Sequence, residues 1–269
     1  MSEELKRIQQ DELRKIQIEI LDVVSIFCEK NNIHYWVDCG TLLGAIRHKG
    51  YIPWDDDIDI GMLRSDYDRF MQLFNEQNER YKFFSIENNK KFLYPHGKVI
   101  DTSTILYEPN KKGNKLAINI DVFVYDNAPN DNKLVEKMYK RCDRYLDLNW
   151  LRTRTHKPKG NIFRRSIIYL AGFCLKIFPK NFFVKKIIKN SKRYVNEDTK
   201  YVGNFTAWSR IYCPKEIFRD FIDVEFEGKC YKAPIGYHEW LTAFYGDYMQ
   251  LPPEEKRVSH HMFEAYYKD

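Results

Sequence analysis

Residues 54–61 read W-D-D-D-I-D-I-G, four carboxylates within five positions that run directly into an apolar stretch. A β-strand sends successive side chains to opposite faces. A strand over about 57–62, extended back through the run, puts Asp55, Asp57 and Asp59 on one face and turns Asp56 away with Ile58 and Ile60. Like charges held side by side are destabilising. Either the run is an acidic turn in water, or a cation neutralises it. The alternation into Ile58 and Ile60 and the glycine-containing lead-in G-T-L-L-G-A-I-R-H-K-G favour the cation. Magnesium suits short carboxylates with open positions, because it keeps several waters and binds substrate phosphates.

The chain has 269 residues, 43% hydrophobic and 16% aromatic, enough for one large domain or a core with an appendage, and not a disordered chain. It starts M-S-E-E-L-K-R-I-Q-Q, with no apolar signal region, so a cytoplasmic protein is expected. The six cysteines at 28, 39, 142, 174, 213 and 230 form no C-x-x-C pair, which points to reduced thiols. The net charge of +6 conceals an asymmetry. Residues 148–196 hold thirteen Lys or Arg and no Asp or Glu, leaving 31 basic against 38 acidic residues elsewhere. A basic module is set into an acidic body, which divides the chain into 1–147, 148–196 and 197–269.

Helical spacing of Leu13, Ile16, Ile20, Val24 and Phe27 predicts a first helix closed by Asn31 and Asn32. A short buried strand over 33–37 leads to a small-residue turn at Gly40 and Thr41, then a helical turn over 42–47. The acidic strand follows. Ser65 reads as the N-cap of a helix carrying Tyr67, Phe70, Met71 and Phe74. Strand-like runs cover 81–86, 94–100, 104–107 and 117–125, a helix is expected over 131–149, a hairpin over 226–234 and a helix over 238–246. This mixture predicts an α+β fold: a mixed sheet core flanked by helices, with a basic helical insertion. In the basic stretch, I-I-Y-L-A-G-F-C-L-K-I-F at 167–178 is too short to span a bilayer. With lysines and arginines around it, 160–193 reads either as a helix in an anionic membrane surface or as a core helix with a solvated basic flank. No nucleic-acid partner is expected, since no recognisable motif accompanies the charge.

A small-residue turn after a strand, followed by two aspartates one residue apart, is a phosphate-handling arrangement. Gly40 leaves backbone N–H groups open to phosphate oxygens, Thr41 adds a hydroxyl, and Asp57 and Asp59 hold one or two metals. A further carboxylate is expected from Asp121, placed mid-strand in L-A-I-N-I-D-V-F-V. There an aspartate is costly unless it binds metal or pairs with a buried Lys or Arg. Asp126 reads as an ordinary turn residue. Arg47, His48, Lys98, Arg257 and His260 are candidates to face the donor's phosphates. His261 points away from its neighbour on any helix, so at most one of that pair serves. Trp54 and Tyr245 either stack on a base or pack the core.

The segments D-C-G-T-L-L-G-A-I-R-H-K-G-Y-I-P-W-D-D-D-I-D-I-G-M (38–62), the Lys98 strand, I-D-V-F (120–123) and Y-G-D-Y-M-Q-L-P-P-E-E-K-R (245–257) resemble the LicD family of phosphotransferases, whose distant animal relatives are fukutin and fukutin-related protein. The resemblance implies a nucleotidyltransferase-like core. It also implies transfer of a phospho-alcohol, typically phosphocholine from CDP-choline, to a sugar hydroxyl of a surface glycan such as teichoic acid or its lipid-linked precursor. On this chain it makes Asp57 and Asp59 the Mg2+ (or Mn2+) ligands with Asp55 beside them, and Asp121 a ligand or base. Such a protein would work peripherally at the inner face of the membrane. The competing readings are an NTP-using nucleotidyltransferase that releases pyrophosphate, and a non-enzymatic membrane-surface module.

Overall fold

The computed structural model describes residues 5–107, 115–153, 161–258 and 264–268. Strand β1 (Arg7–Ile8) leads into helix α1 (Gln10–Lys30), which buries Leu13, Ile16, Ile20, Val24 and Phe27 along the stripe its spacing dictates. The Asn31 side chain donates to the Phe27 carbonyl at 2.8 Å, and Asn32 takes the left-handed conformation that stops the helix. Strand β2 (Trp36–Val37), helix α2 (Cys39–His48) and strand β3 (Asp59–Leu63) follow.

Helix α3 (Arg64–Gln77) starts one residue before Ser65, with Leu63 at its cap position and no side-chain cap, so Ser65 is not the N-cap. The strand enters the helix without a connecting loop, which leaves a capping serine no place. Strands β4 (Tyr81–Phe84), β5 (Gly97–Asp101), β6 (Thr104–Tyr107), β7 (Lys115–Leu116) and β8 (Asn119–Ala128) come next.

After them lie α4 (Asn132–Thr153), α5 (Ile162–Cys174) and α6 (Phe182–Ser191). The 147/148 boundary falls inside α4, so the basic stretch shares a helix with the residues before it. Strands β9 (Tyr201–Asn204) and β10 (Ile211–Pro214) precede the hairpin of β11 (Phe221–Phe226) and β12 (Lys229–Pro234), then α7 (Tyr237–Tyr245) and β13 (Glu264–Tyr267). Glu227 and Gly228 both have positive φ, as a two-residue hairpin turn requires.

The fold is α+β. A seven-stranded mixed sheet runs β10-β9-β8-β3-β2, with β5 also on β8 and β4 on β5; a four-stranded sheet runs β1-β13-β6-β7. Ten-residue β8 organises the larger sheet, pairing β3 in parallel on one side and β5, then β9, antiparallel on the other. Ile60, Met62, Val122 and Val124 are buried on the face opposite the acidic side chains. On the Asp59 face, Gly61 makes room for the Trp36 ring, which a Cβ there would approach within 2.4 Å.

Asp126 is not a turn residue. It lies on β8, fully buried, and its carboxylate accepts both Nε (2.6 Å) and Nη2 (2.9 Å) of Arg64 and the Ser191 hydroxyl. Arg64 also reaches Glu87 at 3.2 Å, and Glu87 pairs with Lys192. This buried network fastens the end of α6 to the sheet. Removing one partner of a buried pair typically costs about 3–5 kcal/mol. We expect Asp126→Ala to lower unfolding stability by that amount in urea titration, with protease cleavage appearing first near α6. A loss under about 1 kcal/mol would contradict a structural role for the network.

Candidate functional site

The register of three strands sets one row of charge. In the parallel pair β3–β8, Asp59 stands beside Asp121, and in the antiparallel pair β8–β5, Asp121 stands beside Lys98. Side chains opposite one another in register share a face. Backbone bonds lock the row: the Asp121 N–H donates to the Ile58 carbonyl (2.8 Å), the Asp38 N–H to the Asp59 carbonyl (2.9 Å), and the Asp59 N–H to Thr41 Oγ1 (2.8 Å).

The two aspartates in the row have opposite electrostatics. Asp121 holds Lys98 on Oδ1 and the His96 ring at 3.2 Å from Oδ2. Burial alone would raise its carboxyl, but Lys98 and His96 outweigh that and hold it well below the usual carboxylate range. The pairing anticipated for Asp121 with a buried lysine is therefore present. Asp59 has no such cation among the described residues. Burial, then the charges of Asp57, Asp121, Asp38 and Asp55, push it well above the usual range.

The acidic run departs from a continuous strand. Pairing begins only at Asp59; the Asp55 N–H closes a turn on the Ile52 carbonyl at 2.8 Å. Without regular alternation, Asp56 is not turned away from its neighbours. Asp55, Asp56 and Asp57 each bring a carboxylate oxygen within 4.8 Å of the others. Helix α1 steadies this loop: Gln17 Nε2 donates to the Asp56 carbonyl at 3.1 Å and Arg14 Nη2 to the Asp55 carbonyl at 2.5 Å.

The expected small-residue turn is the first turn of α2. Its preceding residue Cys39 has φ +46°, a left-handed conformation that costs on the order of 1–3 kcal/mol for a residue with a Cβ. Gly40 lies under Asp55, where a Cβ would come within 2.5 Å of Oδ2. The positive end of the α2 dipole thus faces a carboxylate. Thr41 is buried, its hydroxyl oxygen engaged by Asp59.

Sequence reasoning passed over four residues here. Asp38 is completely buried, accepts the Tyr125 hydroxyl at 2.8 and 3.0 Å, and is pushed up by burial to about 6. His96 lies two positions before Lys98, a spacing that could have flagged a shared face. Gln17 is a polar residue inside the apolar stripe of α1, also a readable signal. Arg14 gave none.

The remaining candidates form a rim beyond the carboxylates. Arg47 donates to the Tyr248 carbonyl at 2.7 Å, the His48 ring stands 6.4 Å from Trp54, and the Arg257 guanidinium lies 5.7 Å from the Trp54 ring centroid. Tyr245 connects rim and row. Burial, then Cys39, Asp59, Asp38 and Asp55, push its hydroxyl up, although its ring is 38% exposed. His260 and His261 lie outside the described residues. Beside the row, Asp57, Lys98, Asn119 and Asp121 line a pocket with apolar walls from Leu13, Leu106, Leu116 and Ile118.

The donor set fits a hard divalent cation. Its oxygens come from short carboxylates, and among the described residues the basic groups beside the row, Lys98 and His96, both engage Asp121. Asp55, Asp57 and Asp59 are the groups whose mutual repulsion a metal would relieve.

The family model described as LicD/FKTN/FKRP, nucleotidyltransferase domain, matches residues 32–176. The lipopolysaccharide cholinephosphotransferase LicD of Haemophilus influenzae is 36% identical over 97% of this chain and 99% of its own length. An uncharacterised protein of Rickettsia typhi is 36% identical over 41% of this chain and 32% of its own length. The ribitol 5-phosphate transferase FKRP of Homo sapiens is 44% identical over 17% of this chain and 9% of its own length.

A carboxyl raised in the folded state contributes stability that is complete below its unfolded value, near 4, and is lost as pH rises through the folded value. Asp59 is such a group, and an asparagine there does not titrate. In EDTA, Asp59→Asn should therefore gain stability over the parent as pH rises above about 4, by up to about 1.4 kcal/mol per pH unit within the titration window. Urea denaturation of both proteins across pH measures it. A difference that stays constant with pH would show that Asp59 is not under repulsion.

Proposed function

Because the chain belongs to the LicD family, we propose that it is a phosphotransferase that moves phosphocholine from CDP-choline to a sugar hydroxyl. The acceptor is a cell-surface glycan, a lipopolysaccharide or teichoic acid, or its lipid-linked precursor. The observation that carries this reading is the Asp59–Asp121–Lys98 row beside Asp55 and Asp57: one set of oxygens for a cation, with a lysine held on Asp121 at its edge.

The acceptor hydroxyl attacks the phosphorus that bears choline, in line with the bond to CMP; that bond breaks, CMP leaves with its electron pair, and the hydroxyl proton passes to water. Asp57 and Asp59, with Asp55 beside them, would hold magnesium or manganese, which supplies neutralisation of charge on the donor phosphates. Asp121 is a poor base, because Lys98 and His96 hold it ionised. Its role is to position Lys98 and His96 beside the donor and to complete the ligand set. The α2 N-terminus and Arg47, His48 and Arg257 favour the anionic nucleotide, and Tyr245 and Trp54 offer ring surface to its base. The same reading puts the protein at the inner face of the membrane, in contact through 160–193, where lipid-linked acceptors are found.

Incubation with CDP-choline, magnesium and a glycan acceptor should release CMP. Pyrophosphate released from an NTP instead would identify a nucleotidyltransferase. Asp57→Ala and Asp59→Ala should each reduce CMP release by at least about a hundredfold while the circular dichroism spectrum is unchanged. Near-normal turnover in either variant would sink the assignment. Lys98→Ala should lower turnover and free Asp121, and Lys98→Arg should restore part of it.

A further inference from the structure

Helix α5 turns its apolar side outward. Ile162, Phe163, Leu170 and Phe173 are 64–81% exposed, with Ile167 at 52%, and Ile177 in the turn that follows is 83% exposed. A core helix does the reverse. The docked side of α5 is a thin strip ending at Gly172, where a Cβ would come 3.0 Å from the Leu151 carbonyl of α4. Trp150 and Tyr169, amphipathic rings of the kind enriched at membrane–water boundaries, are also half exposed.

No helix among the described residues is long and apolar enough to cross a bilayer. The next helix, α6, is bent away by 78° and buries Phe183, Val184 and Ile187 in the protein, so it cannot follow α5 into lipid. The geometry is that of a helix lying on a membrane.

A basic cleft accompanies it. Arg141 and Tyr145 of α4 face Lys186, Lys189 and Asn190 of α6, with Lys192 and Arg193 at one end. Of these five cations, only Lys192 has a carboxylate partner among the described residues, Glu87. Arg141 and Tyr145 lie six to ten residues before the α5 contact at Leu151, about 9–15 Å along α4. An interfacial helix sinks about 5–10 Å past the headgroups, a distance of the same order as the separation of the two features.

We propose that α5 lies in the interface of an anionic bilayer and that the Arg141–Lys186–Lys189–Arg193 cleft takes the phosphate of a lipid headgroup. Charge complementarity selects the partner: no acidic residue lines the cleft, residues 148–196 carry none, and an anionic phospholipid offers a phosphate and an apolar layer together. The proposal rests on the peripheral reading above and names its contact.

Flotation of the full chain with vesicles tests it. The protein should float with phosphatidylglycerol–phosphatidylcholine vesicles and remain behind with pure phosphatidylcholine. Phe163→Ser with Leu170→Ser, and separately Arg141→Glu with Lys189→Glu, should each cut the bound fraction at least about tenfold. All four positions are exposed, and an unchanged urea midpoint verifies folding. No flotation of the parent protein, or full flotation of either variant, overturns the proposal. Stabilisation by soluble inorganic phosphate without vesicle binding also overturns it, in favour of a soluble phosphate ligand. CMP release with a soluble acceptor is scored on the same preparations without vesicles. A protein that floats but releases no CMP contradicts only the transferase reading; one that releases CMP but does not float contradicts only this one.

Discussion

Two aspartates on adjacent parallel strands, with a lysine on the third strand, set the problem that the rest of the molecule is built around. Neighbouring strands lie about 4.8 Å apart, where two unit charges repel by roughly 3 kcal/mol at an effective dielectric of about twenty. Lys98 and His96 return a similar amount, but only to Asp121. Asp59 remains among Asp38, Asp55 and Asp57 with its carboxyl pushed upward. The register cannot slip to relieve this, because a shift of one residue would expose Ile60, Met62, Val122 and Val124. The hydrophobic face therefore enforces the electrostatic one, and a divalent cation is the simplest relief.

The surroundings preserve that arrangement. Helix α1 grips the backbone of the acidic loop through Arg14 and Gln17, Gly40 makes room for Asp55, and the Tyr125 hydroxyl donates to the Asp38 carboxylate. On the far half of β8, Asp126 and Arg64 tie the sheet to α6. One ten-residue strand thus carries the reactive row at one end and the anchor of the basic module at the other.

Local periodicity made much of this legible. The stripe of α1, the turn and second strand of the hairpin expected at 226–234, and the acidic approach to Asp59 follow from spacing and turn chemistry; the hairpin's first strand, Phe221–Phe226, lies upstream of the expected span. Alternation failed at Asp56, because three successive charges bend into a turn before strand pairing can impose a period of two. Asp126 was misread because its partner Arg64 is 62 residues away in sequence, and a local pattern carries no information about such a partner. Asp38 was missed for the same reason: its significance comes from Tyr125 and from the β2–β3 pairing above it. Lys98 and Asp121 were each identified as candidates, but their pairing is a property of register between strands. For α5, sequence left membrane and core readings equal; the exposure of its apolar side is at odds with a core helix.

Calorimetric titration of Mn2+ into the metal-free protein, with and without CDP-choline, tests the carboxylate centre most directly. A saturating heat that is tighter with the donor present, and at least about tenfold weaker in Asp59→Asn, is the expected result. No saturable heat, or equal binding by Asp59→Asn, would contradict the centre as described.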